Sequence, residues 1–218
     1  MNVLPLVVLL LGSGRQSGTI NVFAAASLKE SFTTIAAKYE KAHPNTKVQL
    51  NFAGSQLLAA QIGNGAPADV FASADQRNLD KVAYDKASMR VFATNHLTIV
   101  YRSDFRLKNI KDLSKVRRLV VADPGVPVGR YASTFLLKAA ADYGEGWYEQ
   151  VNANIVSKEQ DVKAVLAKVQ LGEADAGIVY TTDAKAAHGK VGTLAIPGRL
   201  NIVAEYPVAI PSTASNVA

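Results

Sequence analysis

Short apolar runs alternate with stretches in which hydrophobic residues recur every three or four positions, and the alternation persists through most of the chain. Residues 20–24 read as a first buried strand. From Ser27 onward, Leu28, Phe32, Ile35, Ala36 and Tyr39 recur at helical spacing until His43-Pro44 ends the pattern. Residues 48–52 alternate as a strand, and a short helix carrying Leu58 and Ile62 stops at Gly63. Further strands are predicted at 69–73 and 97–101. A second series opens with the strand 119–122, turns through Asp123-Pro124-Gly125 and Pro127, and enters a helix near Gly129 that packs with Tyr131, Phe135 and Leu136. A strand at 154–156 precedes a helix with Val162, Val165, Leu166 and Val169 on one face, ending at Gly172; 176–180 is again a buried strand and 201–210 is extended.

Strands alternating with helices build βαβ units around parallel sheets, so the fold class is α/β. Two series of units, joined by the extended segments near 97–101 and 202–210, predict two lobes with two crossings between them. Residues 19–98 with 207–218 form lobe 1 on this reading, and 99–206 form lobe 2. Ligands of such sheets sit beyond the carboxyl ends of the strands, where the helices start.

Of 218 residues, 49% are hydrophobic and 19% charged, a composition that supplies a sizeable core. The formal charge of +6 and the isoelectric point near 9.4 raise the question of a nucleic-acid partner. Such partners need basic residues concentrated on one element. The densest basic stretch, 102–118, is interrupted by Phe105, Leu107, Ile110 and Leu113, as in the solvated face of a half-buried segment. No nucleic-acid partner is therefore expected; docking on a membrane transporter or an anionic membrane is the alternative use for that stretch. The absence of cysteine excludes disulfides, thiolate metal sites and cysteine nucleophiles. Residues 4–11 are apolar apart from Pro5 and are followed by a small, polar stretch at 12–18. That combination reads as a signal peptide or its remnant over 1–18, although no Lys or Arg precedes it; a buried first strand is the other reading. Nothing later reaches the roughly 18 apolar residues of a membrane helix, so an exported, soluble, periplasmic protein is expected.

The search for chemistry yields no catalytic set. His43, His96 and His188 are isolated, and there is no Gly-x-Ser-x-Gly elbow, phosphate loop or dinucleotide fingerprint. Asp80 and Asp85 fall where surface helices would put them. Neither a catalytic residue nor a cofactor is expected. What recurs is a small or short polar residue at each strand-to-helix junction. Ser27-Leu28-Lys29-Glu30 has the capping-box pattern, Ser55 could cap the next helix, Val128 lies between Pro127 and Gly129 at a third start, and Asp161-Val162 form a cap and first turn at a fourth. Any helix needs a cap, so each junction alone is structural. Together, after successive strands, they aim backbone donors and positive helix ends into one place and predict an anion-binding cleft.

At these same junctions the chain resembles the periplasmic molybdate-binding proteins of bacterial molybdate importers. The matching stretches are Val22-Phe23-Ala24-Ala25-Ala26-Ser27-Leu28, Phe52-Ala53-Gly54-Ser55, residues 65–75, Asp123-Pro124 with Val126-Pro127-Val128-Gly129, and Gly177-Ile178-Val179-Tyr180. The resemblance implies a two-lobed periplasmic-binding-protein fold of type II, with each lobe a mostly parallel sheet flanked by helices and the ligand in the cleft between lobes. It further implies a monomer that delivers its anion to the membrane permease of an ABC importer. As ligands it implies Ser27 and Ser55 from lobe 1, and Val128 and Val162 through their backbone N–H and Tyr180 through its hydroxyl from lobe 2. Molybdenum would be held only as the oxyanion. Tungstate is the nearest rival ligand and sulfate the next. An enzyme on a similar scaffold would need a nucleophile, base or metal constellation, and a regulator's effector lobe would need a DNA-binding helix pair ahead of Ile20. The family usually continues past 206–210 into a helix completing lobe 1, whereas this chain ends at Ala218, so that helix is expected to be missing. Gly54 is a further departure, which could alter how Ser55 is presented.

Overall fold

A computed structural model describes residues 18–215 of the chain. Apart from Gly18, the expected signal segment lies outside the described residues. The described part divides into two compact units, one running to Thr94 and resuming at Glu205, the other spanning Asn95–Ala204.

The first unit contains β1 (Gly18–Ala25), a 3-10 turn (Ala26–Leu28), α1 (Lys29–Ala42), β2 (Thr46–Ala53), α2 (Ser55–Gly63), β3 (Val70–Ala72), α3 (Gln76–Leu79) and the start of β4 (Arg90–Arg102). The second contains the rest of β4, then β5 (Leu119–Ala122), α4 (Pro127–Tyr143), α5 (Glu145–Ala153), β6 (Ile155–Glu159), α6 (Val162–Gln170), β7 (Ala176–Tyr180), α7 (Thr181–Ala186) and β8 (Val191–Ala195). The chain returns to the first unit through β9 (Val203–Ala209).

In the first unit β1 pairs in parallel with β2 and β3, and β9 pairs antiparallel with β3, setting Phe71 opposite Ala209. The apolar run of β1 is continuous at its end because the strand lies between two neighbours and is covered, so that residues 22–25 are all but buried. One face of α2 buries Leu58, Ala59 and Ile62 in a cluster with Phe23, Phe71, Leu79 and Val82. Each such side chain contributes about 1.5–3 kcal/mol relative to exposure, which fixes the start of α2 against the carboxyl ends of β1 and β3. His43, at the end of α1, stacks on Tyr39 with ring centroids 4.3 Å apart.

In the second unit β5 pairs in parallel with β6 and β7, while β4 runs antiparallel to both β7 and β8. The parallel pairs expected of βαβ units are thus present in both units, and the strands that carry the chain in and out pair antiparallel. The stripe Val162, Val165, Leu166 and Val169 is buried as the periodicity required. Gly177 lets α6 approach the sheet: a Cβ there would lie 2.9 Å from Val165 Cγ1 and 3.1 Å from Val120 Cγ1. In the basic stretch Leu107, Ile110 and Leu113 are buried, while Arg102 and Arg118 pair with Asp175 at 3.5 and 2.7 Å. Two elements escape the periodicity reading. Helix α5 buries only Trp147 and Val151, and β8 is a half-exposed strand with a glycine in it. No helix among the described residues is long and apolar enough to cross a membrane.

Candidate functional site

Both serines of the first unit stand at strand-to-helix junctions, though neither caps a helix. Ser27 lies inside the 3-10 turn, whose N-cap position is Ala25, and α1 begins after Leu28 with no side-chain cap. The expected capping box is therefore absent, because the turn starts early and carries Ser27 past the capping position. Its hydroxyl instead lies 3.1 Å from the hydroxyl of Tyr206 on β9. Ser55 is the first residue of α2, following Gly54 at the N-cap, and the first bonds of the helix run from the amides of Leu57 and Leu58 to the Gly54 carbonyl. Gly54 adopts φ −59° and ψ 139°, a conformation open to any residue, so its backbone freedom is not called on. The Ser55 side chain is 1% exposed and its Oγ accepts the amide of Ala74 at 3.0 Å, across from the end of β3.

The second unit presents Val128, Val162 and Tyr180 at three helix starts. Pro127 occupies the first position of α4 and has no N–H, and the amide of Arg130 already bonds to the Val126 carbonyl. The first-turn donors are then the amides of Val128 and Gly129. Gly129 is required: a Cβ there would fall on the carbonyl oxygens of Asp123 and Ala122. Asp161 caps α6 as the sequence predicts, accepting from the amides of Lys163 at 2.8 Å and Ala164 at 3.0 Å, which leaves the amide of Val162 outside its hydrogen bonds. Both valine side chains are buried, at 1% and 3% exposure, and anchor the helix ends whose backbone they carry. Tyr180 ends β7, pairs with Leu97 of β4, and is the N-cap residue of α7. The chain just beyond it is held by Asn95, whose amide donates to Thr182 Oγ1 at 2.8 Å and accepts from Thr181 Oγ1 at 2.9 Å.

None of the five positions carries a formal charge. Lys163, in the first turn of α6, meets Asp183, in the first turn of α7, at 2.9 Å; the carboxylate is completely buried. Burial alone would push the Glu159 carboxyl up, but Lys168 and Ser157 outweigh it and hold the group below the usual carboxylate range. Among the described residues no three His, Cys, Asp or Glu are placed to hold a metal ion. A cavity of about 260 Å³ in the second unit, lined by residues such as Val121, Leu136, Tyr148 and Lys158, includes none of the five. Sequence reading missed Tyr206, Asn95 and the Lys163–Asp183 pair, since partners 179 positions apart, in the case of Tyr206, leave no trace in a local pattern.

Comparison with known proteins agrees with the junction motifs. The profile of the family described as bacterial extracellular solute-binding protein matches residues 20–218. The molybdate-binding protein ModA of Mycobacterium tuberculosis is 37% identical over 207 residues, covering 91% of this chain and 75% of its own length. Among solved structures, the substrate-binding domain of a putative molybdenum ABC transporter from Clostridium difficile is 31% identical with a TM-score of 0.66, covering 92% of this chain and 88% of that one. The periplasmic molybdate-binding protein of Azotobacter vinelandii, 21% identical, shares the fold with a TM-score of 0.78 over 90% of this chain and 87% of its own. The chain therefore belongs to the bacterial extracellular solute-binding proteins, in the family of ModA.

Proposed function

We propose that this protein binds molybdate, with tungstate as an alternative cargo, and delivers it in the periplasm to the permease of an ABC importer without chemical turnover. Its donors are the hydroxyl of Ser27 and the backbone and hydroxyl of Ser55 from the first unit, and from the second the amides of Val128 and Val162 and the hydroxyl of Tyr180. The observation that carries this reading is the pair of helix starts at Val128 and Val162. Their leading amides are left over by the caps, and the carboxylate of Asp161, which precedes Val162, is turned onto its own helix. Molybdate is fully deprotonated near neutral pH and can only accept hydrogen bonds, so a set of neutral donors suits it. Hydrogenphosphate retains a proton that a carboxylate would take best, and none of the five positions is acidic. Hydrogen bonds to a charged group contribute about 1.5–3 kcal/mol each. Several together are enough for nanomolar binding, about −12 kcal/mol, after desolvation is offset. The names of the relatives, molybdate-binding in both Mycobacterium tuberculosis and Azotobacter vinelandii, support the choice of anion.

Calorimetric titration of the purified chain with molybdate, tungstate, sulfate and phosphate tests the proposal. Tight binding of the first two, with weak or absent binding of phosphate, is expected. Equal weak binding of all four would refute it, and tight molybdate binding unchanged by Ser55→Ala and by Tyr180→Phe would refute the site.

A further inference from the structure

The charge of the chain is concentrated in one segment. Residues 102–118 carry seven basic and two acidic side chains, +5 of the net +6. Leu107, Ile110, Leu113 and Val116 are buried, one at every third position, through the 3-10 turn Ile110–Lys115. Three residues complete a 3-10 turn, so this spacing turns one side of the segment inward and the other positions outward. Arg106, Lys108, Lys111, Lys115 and Arg117 hold outward positions and are exposed. The acids are spent locally: Asp104 on Arg102 at 2.9 Å, and Asp112 on Lys115 at 2.9 Å and on the amides of Lys108 and Asn109. Arg106, Lys108, Lys111 and Arg117 meet no carboxylate among the described residues. Helix α5 packs on the turn through Trp147, whose Nε1 donates to the Lys111 carbonyl at 3.0 Å, and helical spacing sets Glu145 and Glu149 on the opposite side of that helix.

This basic face lies away from the candidate anion donors of its own unit. Residues 102–118 end where β5 begins, and Arg118 pairs with Asp175 just ahead of β7. β5 is parallel to β6 and β7, and Val128, Val162 and Tyr180 stand at or beyond the other ends of these strands. Strands of four and five residues separate the two ends by about 13–17 Å, beyond a Debye length of about 8 Å at physiological salt. The four unpaired cations are therefore screened from the cargo and need another anionic partner.

Resting on the periplasmic reading above, we propose that this face adsorbs the protein reversibly on an anionic phospholipid surface. None of the exposed large hydrophobic residues belongs to the segment, so attachment is by charge alone, with no side chain inserted into the lipid. A nucleic-acid duplex suits the face less well, because its major groove admits a helix or a β-ribbon and a six-residue 3-10 turn offers neither. Adsorbed in this way, the second unit keeps its anion end away from the lipid phosphates, and the weak, salt-labile hold lets the protein leave for the permease.

The experiment is sedimentation of the full chain with vesicles of phosphatidylcholine alone or mixed with phosphatidylglycerol, at low and at high salt. Binding to the mixed vesicles only, and its loss at high salt, are expected. Each basic residue near an anionic surface strengthens attachment about fivefold, so Lys108→Gln with Lys111→Gln and Arg117→Gln is expected to weaken it about a hundredfold. Lys38→Gln with Lys41→Gln and Lys86→Gln removes the same charge from exposed positions of the first unit and is expected to change attachment less than about twofold. Both triple variants are expected to melt and to bind molybdate as the wild type does. Equal binding to the two kinds of vesicle, an equal loss in the two triple variants, or tighter binding to duplex DNA than to the mixed vesicles at the same salt would overturn the proposal. Molybdate titration reads the cargo separately, so either the lipid proposal or the molybdate reading can fail while the other stands.

Discussion

Replacing Lys163 by methionine removes the ammonium paired with a carboxylate that has no access to water. Asp183 is 0% exposed and its oxygen lies 2.9 Å from Lys163 Nζ, whereas the lysine is 24% exposed along its side chain. Methionine keeps most of the apolar stem, so the loss isolates the ammonium. Removing one partner of a buried pair costs about 3–5 kcal/mol, because the remaining charge is left uncompensated. In a chain of this length each kcal/mol displaces the melting temperature by about 2–4 °C, so Lys163→Met is expected to lower it by about 6–20 °C. Thermal unfolding followed by circular dichroism, with urea unfolding as a second measure, reads the change. Asp183→Asn in the same background removes the stranded charge and leaves a neutral amide whose own burial costs about 1–3 kcal/mol, so the double variant recovers roughly half of the loss. A fall of less than about 2 °C in Lys163→Met, or a double variant less stable than the single one, would refute the assignment of this pair as the tie between the first turns of α6 and α7.

Two further outcomes follow from particular contacts. Gly129→Ala forces a methyl onto the carbonyl oxygens of Asp123 and Ala122, so the start of α4 must move; lower thermal stability together with weakened molybdate binding in titration is expected. Burial pushes the Asp175 carboxyl up, but the side-chain bond from Arg118, with Arg102 behind it, holds it below its ordinary value. Its stabilising contribution is then complete above the unfolded pKa, about 3.9, and is lost as pH falls through the lower folded value. Melting temperatures measured through that acid range are expected to fall less steeply for Asp175→Asn than for the wild type.

The order of strands and helices was legible because burial imposes its own periodicity. Strands covered on both faces read as unbroken apolar runs, as at 119–122 and 176–180, and a helix covered on one face reads as the stripe Val162, Val165, Leu166, Val169. Asp161 was legible for a similar reason, since the amides it accepts from belong to residues two and three positions on. Ser27 met the same local test and gave a different result. Serine three residues ahead of glutamate satisfies the capping-box pattern, but the chain leaving β1 turns at once, and the position that should cap falls within the turn. What its hydroxyl meets is decided by the return of β9, and nothing within a helix turn of Ser27 encodes that. Ser27, Ser55, Val128 and Val162 stood out as helix starts in the pattern, but their roles as ligands, and Tyr180 altogether, came only through the resemblance, because a valine that acts by its amide looks like any other core valine.

The net charge of +6 would suggest that an anion is held by cations, and the local structure argues otherwise. Lys163 follows Val162 in the first turn of α6, and its ammonium is paired with Asp183. Arg102 and Arg118 are committed to Asp175, and Lys168 to Glu159. A free cation at the start of α6 would attract every anion in proportion to its charge, hydrogenphosphate and sulfate included, since Coulomb attraction does not distinguish protonated from deprotonated oxygens at equal charge. Backbone amides in fixed directions do distinguish them, because an O–H pointed at an N–H is left without a partner and costs the binding of that anion.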